Sequence, residues 1–126
     1  RLSTGTCSPF AKKMFITADG KILPCEKIAH KYSLGQITDD GVDIDPQQIA
    51  DRYNRYYSDL LSQCQVCYRQ NSCSQCFFFI ENLETNPICH GFVNRKRFAD
   101  YLYSNINFLE RHLDDYRKIM TEVNIK

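Results

Sequence analysis

Cysteines are the residues in this chain whose type and spacing point most directly to chemistry. Cys64-Gln-Val-Cys67 and Cys73-Ser-Gln-Cys76 stand five residues apart. A two-residue gap lets both sulfurs of a pair turn toward one metal ion or one cluster. Three further cysteines, Cys7, Cys25 and Cys89, have to be brought to this run by the fold. Two other uses of the thiols fit less well. A disulfide framework suits small secreted domains, but seven is an odd count and no apolar signal segment precedes it. A zinc ribbon separates its CxxC knuckles by roughly 15–20 residues. Five residues leave no room for two independent knuckles. Metal binding by clustered thiolates is the chemistry the spacing supports.

The elements that must position these thiols can be read in part. Arg1 to Phe10 is rich in Ser, Thr and Gly and reads as a loop carrying Cys7. Residues 12–26 carry a hairpin signal: β-prone Met14-Phe15-Ile16-Thr17, a two-residue Asp19-Gly20 turn, and a return through Lys21-Ile22-Leu23. Pro24 ends regular pairing and the hairpin delivers Cys25 toward Cys7. Tyr32 to Ile37 suggests a short extended piece and Asp39-Asp40-Gly41 a turn. Asp45 followed by Pro46 opens a helix to about Gln63. Its apolar positions Ile49, Tyr53, Tyr56, Tyr57, Leu60 and Leu61 recur at helical spacing and read as core. The polar loop Gln70-Asn71-Ser72 is expected to donate backbone amides to cluster sulfurs. Phe77 to Ile80 fits either a strand or a buried helix.

Asn94 opens a long helix to about residue 122. Leu102, Ile106, Leu109, Leu113, Tyr116, Met120 and Val123 form its seam. Tyr116 and Met120 make a poor zipper, so the seam reads as packing on the rest of the fold or on missing chain. The expected fold class is α+β: a small cysteine-rich, metal-organised domain with a β-hairpin, a loop-rich cluster-binding core and a C-terminal helix. Residues 1–93 form the expected cluster-binding domain, and 94–126 the helix that packs on it or on a catalytic domain.

Composition sets outer bounds. Charged residues make up 25% of 126 residues with a formal net charge of +1. That balance gives no reason to expect nucleic acid or a membrane surface as partner. No stretch approaches the roughly 18 consecutive apolar residues of a membrane span, and a cytoplasmic location is expected. The chain starts at Arg1 rather than Met, which suggests a piece of a longer protein. Eight Tyr, eight Phe and no Trp can build a small core held together partly by metal.

The complete spacing is Cys7, twelve residues, Gly20, four residues, Cys25, then Cys64-x2-Cys67-x5-Cys73-x2-Cys76, then twelve residues and Cys89. This resembles the SPASM domain, a C-terminal extension of many radical SAM enzymes that modify peptides and proteins, such as peptide maturases and anaerobic sulfatase-maturating enzymes. One departure is visible: Ser74-Gln75 are two residues where the family usually has three. The resemblance implies two auxiliary 4Fe-4S clusters. It implies that Cys64, Cys67, Cys73 and Cys89 ligate the second, and that Cys7, Cys25 and Cys76 ligate the first. The first set is one ligand short. Water, a peptide substrate, a group from the catalytic domain, His30 or His90 are the alternatives for the missing ligand.

The resemblance also implies an N-terminal radical SAM catalytic domain as partner, a peptide or protein substrate, and S-adenosylmethionine bound only in that catalytic domain. The CxxxCxxC trio of the catalytic cluster is absent from residues 1–126, so this chain is expected to be inactive alone. The auxiliary clusters would serve in electron transfer or substrate binding. The rival readings are a structural zinc-binding interaction module, with zinc taken up in aerobic preparation, and a disulfide-stapled secreted domain.

Overall fold

In the computed structural model of the chain, residues 4–11 and 13–123 are described. Lys12, where the expected hairpin begins, and the last residues of the chain lie outside them. The chain divides into two compact units, Arg1–Phe92 and Val93–Lys126.

The first unit holds a four-stranded antiparallel meander, β1 (Phe15–Ile16), β2 (Lys21–Leu23), β3 (Gly35–Thr38) and β4 (Gly41–Ile44), in that spatial order. Only its first half was legible as a hairpin. Ile16 pairs with Ile22, and the Thr17 N–H donates to the Lys21 carbonyl at 3.0 Å. That leaves Ala18-Asp19-Gly20 as a three-residue loop rather than the expected two-residue turn. Gly20 closes it at φ 80°, the left-handed position such a loop requires. The Thr17 hydroxyl locks the loop by donating to Asp19 at 2.5 Å and accepting from the Lys21 N–H at 2.9 Å. The second hairpin grows from the Tyr32–Ile37 segment, with Gly35 opposite Ile44 and Thr38 opposite Gly41 across the Asp39-Asp40 turn.

Helix α1 (Pro46–Gln65) starts as expected. Asp45 caps it by accepting from the Gln48 N–H at 2.9 Å, with Pro46 in the first turn. It runs two residues past the expected end and carries Cys64 within its last turn. Ile49, Tyr53, Tyr56 and Leu60 are buried against Ile22, Tyr32, Leu34, Phe77 and Leu83. Leu61, expected in the same stripe, is exposed. Successive helical residues are turned about 100° from one another, so with Leu60 at the core Leu61 falls at the edge of the apolar stripe.

Phe77 lies at the centre of this core. Phe77–Phe79 form one 3-10 turn, neither strand nor α-helix. The Phe77 ring has no solvent exposure, and its centroid lies 5.3, 5.5 and 5.4 Å from those of Tyr53, Tyr56 and Tyr57. Tyr32 packs tilted against Phe78 with ring centroids 4.8 Å apart, and Arg52 donates to the Ser33 carbonyl at 2.7 Å. Sheet, helix and aromatic turn are thereby joined.

In the second unit, the expected long helix is two: α2 (Arg95–Arg111) and α3 (Leu113–Glu122). Asn94 caps α2 by accepting from the Arg97 N–H at 2.9 Å. The break is at His112, which leaves the helical region at φ −127°, ψ 58°. Its ring stacks on Phe108 at 4.2 Å and faces Asp115 at 3.7 Å. Asp114 and Asp115 then sit in the first turn of α3, where the helix dipole favours acidic groups. Leu109 is half-buried; Leu102, Ile106, Leu113, Tyr116, Met120 and Val123 are exposed.

Phe77→Ala is expected to destabilise the first unit by about 3–5 kcal/mol, the range for emptying a fully buried aromatic site. Phe79→Ala, two residues along and exposed, should change the unfolding midpoint little. Denaturant titration of the two variants side by side checks this.

Candidate metal centre

The seven cysteines separate into two groups in space. Cys64, Cys67, Cys73 and Cys89 line one cavity of about 90 Å³. Cys7, Cys25 and Cys76 line another, of about 160 Å³. None of the seven forms a disulfide. Among the described residues, no three or more His, Cys, Asp or Glu side chains converge at the spacing of a single bound ion.

The first cavity is built at the C-terminal end of α1. The chain leaves the helix by consecutive tight turns: the Cys67 N–H donates to the Cys64 carbonyl at 3.2 Å, Gln70 to Cys67 at 3.0 Å, and Ser72 to Arg69 at 3.1 Å. These turns keep Cys64, Cys67 and Cys73 around one space. They also bear on the amides of the Gln70-Asn71-Ser72 loop. The Gln70 and Ser72 amides are used by backbone carbonyls, because a chain turning this tightly satisfies its own donors.

Cys89 arrives from a separate segment, and Gln63 brings it there. The Gln63 side chain donates to the Pro87 carbonyl at 2.5 Å and accepts from the Cys89 N–H at 3.3 Å. Ile88 also bridges to Glu81, its N–H donating at 2.9 Å. Gly91 passes close to the Cys89 sulfur; a Cβ there would lie 3.7 Å from it. Among the described residues, Arg69 is the one cationic residue lining this cavity. Burial first, then the neighbouring thiols of Cys89, Cys73 and Cys67, push the Cys64 thiol above its ordinary pKa. Both causes oppose a bare thiolate, and a bound cation removes both.

The second cavity forms where three segments meet. The Gly5 N–H donates to the Gln75 carbonyl at 3.0 Å, and the buried Thr6 hydroxyl accepts from the Phe77 N–H at 2.9 Å. A Cβ on Gly5 would collide with the Ser74 carbonyl, so this close approach needs glycine. The contact sets Cys7 beside Cys76. Strand β2 continues through buried Pro24 to Cys25, whose sulfur accepts from the Lys27 N–H at 3.4 Å. Lys13 and Glu26 pair beside it at 2.8 Å. The hydrogen bond from Lys13 holds the Glu26 carboxyl down to about 2.

Cys73 and Cys76 fall to different cavities although only two residues separate them. Cys73 and Cys76 both have extended backbone, with ψ of 121° and 129°. The Cys64-x2-Cys67 pair is closed by a turn instead. Identical spacing therefore produces opposite outcomes. His30 begins a 3-10 turn and His90 pairs with Glu81 at 2.7 Å; neither lines the three-cysteine cavity. Gly5, Thr6 and Gln63 position the cysteines but carry no metal-ligand chemistry of their own. Their roles were not legible in the sequence.

In metal-free, reduced protein, Cys64 is expected to react with iodoacetamide more slowly at pH 8 than exposed Cys7, because its thiol is held protonated and half-buried. Gln63→Ala should accelerate alkylation of Cys89 severalfold without affecting Cys7. Mass spectrometry of timed, quenched samples measures both; equal rates at all sites would contradict the geometry.

The model of the SPASM family, described as an iron–sulfur cluster-binding domain, matches residues 7–91. No curated protein and no solved structure matches the chain. The matched span contains Gly20 and all seven cysteines, and so the whole thiol lining of both cavities. The chain belongs to the SPASM family of iron–sulfur cluster-binding domains.

Proposed function

We propose that this chain holds two 4Fe-4S clusters and serves as the auxiliary cluster-binding part of a radical SAM enzyme that modifies a peptide or protein. The observation that carries the reading is the division of seven cysteines into a four-thiol cavity and a three-thiol cavity. The donor set fits: soft thiolates are the ligands of iron–sulfur clusters. The thiols ring each space without converging at single-ion spacing.

Cys64, Cys67, Cys73 and Cys89 would hold the second cluster, and Cys7, Cys25 and Cys76 the first. Clusters of this kind supply one-electron transfer. The protein's own part is placement. Gln63 holds the Cys89 segment, Thr6 and Gly5 hold the Cys7 segment, and the Lys27 amide donates to the Cys25 sulfur. Arg69 places a positive charge at the wall of the four-thiol cavity, where it favours bound negative charge. The three-thiol set leaves one position for a ligand from outside the described residues. An open position of that kind suits substrate, whereas the closed set suits electron transfer.

An N-terminal radical SAM catalytic domain is the proposed partner, with S-adenosylmethionine bound there. A peptide or protein is the proposed substrate. No helix among the described residues is long and apolar enough to cross a membrane. A reducing compartment such as the cytoplasm is proposed, since it keeps thiols available for metal.

The test is iron, sulfide and zinc content of the full chain prepared without oxygen. Two clusters' worth of iron and sulfide is expected. Cys64→Ala, Cys67→Ala, Cys73→Ala and Cys89→Ala should each remove one cluster and destabilise the protein severely, since metal binding is part of folding. Cys7→Ala and Cys25→Ala should remove the other with a smaller stability loss. Stoichiometric zinc without iron would overturn the reading.

A further inference from the structure

Residues 73–76 belong to no helix, strand or turn, yet they serve both cavities. Cys73 lines the four-thiol cavity and Cys76 the three-thiol one. Gln75, half-buried between them, is tied to both sides. Its backbone carbonyl accepts from the Gly5 N–H at 3.0 Å, and Gly5 is a wall of the three-thiol cavity. Its side-chain amide donates to the Cys76 carbonyl at 3.2 Å. The same side chain belongs to the wall of the four-thiol cavity. There a Cβ on Gly91 would stand 3.5 Å from Gln75 Oε1 and 3.7 Å from the Cys89 sulfur. The amide oxygen and that sulfur therefore flank one point.

A segment without regular secondary structure is held by few interactions and loses conformational freedom when it is fixed. A group bound by Cys73 fixes it at one end, and a group bound by Cys76 at the other. Whichever binds first orders Gln75, and the second then meets an arrangement already made. The Gln75 side chain carries this between the cavities. It flanks Cys89 in one and is bonded to the backbone of Cys76 in the other.

We propose that Gln75 is a positioning residue shared by the two sites, through which occupancy of either cavity strengthens retention in the other. This rests on the reading of both cavities as cluster sites. Gln75 is not itself a ligand.

The experiment uses the full chain, loaded with iron and sulfide without oxygen and then exposed to an excess of a ferrous-iron chelator. Electron paramagnetic resonance follows the two groups separately, the first being the signal that Cys7→Ala removes. Neither Cys7 nor Cys25 lines the four-thiol cavity. Even so, Cys7→Ala and Cys25→Ala should each shorten the half-life of the second group about fivefold, the lower end of ordinary coupling between sites. Gln75→Ala should shorten it comparably. Cys7→Ala combined with Gln75→Ala should be no worse than either alone, since both cut one link. Gln70→Ala changes the same cavity wall, but the Gln70 side chain makes no hydrogen bond among the described residues; it should leave the Cys7→Ala effect at full size. The parent gives a second readout that needs no cysteine variant to fold: each signal should decay faster once the other is lost, and Gln75→Ala should abolish that dependence. A second-group half-life indifferent to loss of the first, or effects of Cys7→Ala and Gln75→Ala that multiply, would each overturn the proposal. If the parent takes up no iron, the cluster reading of the cavities fails and this inference with it. Two loaded groups that decay independently overturn this inference alone.

Discussion

The arrangement depends on one constraint: the chain leaves Cys73 and enters Cys76 with extended backbone while Phe77 is driven into the core. Phe77 has no exposure and is surrounded by Tyr53, Tyr56 and Tyr57 of α1. Full burial of such a ring is worth roughly 1.5–3 kcal/mol relative to leaving it exposed. Once that ring is seated, Cys76 is held on one side of the extended segment and Cys73 is left at the helix end. Two thiol groups can then be served by a single cysteine run. A tighter turn at Ser74-Gln75 would draw both sulfurs to one place and leave Cys7 and Cys25 without a third partner.

The two cavities are assembled by different physics. The four-thiol cavity is local in origin, made by α1 ending and the backbone folding back through consecutive turns, with Cys89 added by the two Gln63 hydrogen bonds. The three-thiol cavity is wholly non-local. Its cysteines come from the N-terminal loop, the end of β2 and the segment before Phe77. It therefore relies on long-range pins, of which the Thr6–Phe77 bond and the Gly5–Ser74 contact are the closest. Loop-closure entropy weighs more on such a site. Burial first, and repulsion between neighbouring thiolates second, raise the Cys64 thiol. A bound metal group turns that repulsion into attraction, which couples metal loading to folding.

The core shows why this chain can dispense with a larger hydrophobic interior. Aromatic residues of α1 and of the Phe77–Phe79 turn meet at ring separations from 4.6 to 6.5 Å. Offset and edge-on pairs add to the area they bury. Glu84 extends this cluster to the surface, accepting from Tyr56 at 3.4 Å and from Lys31 at 3.0 Å. The Tyr53 hydroxyl departs from the pattern. Among the described residues it has no hydrogen-bond partner, although its ring packs on Phe77 and Phe78.

The sequence by itself determined the local and chemical parts. Asp45-Pro46 marked the start of α1, the tyrosine stripe marked its buried face, and the order of seven cysteines and Gly20 identified an iron–sulfur domain. These features are legible because capping, helical periodicity and ligand spacing act over a few residues. Tertiary structure decided the rest. The meander gained its second hairpin from a segment with weak propensity, stabilised by pairing with β2. The expected long helix broke at His112, where stacking on Phe108 and the acidic start of α3 offset the lost turn. Two CxxC pairs of identical spacing adopted a closed and an open geometry. Spacing counts residues but does not state whether the backbone between them turns or extends. That choice was made by the burial of Phe77 and the hydrogen bond from its amide to Thr6, 71 residues away.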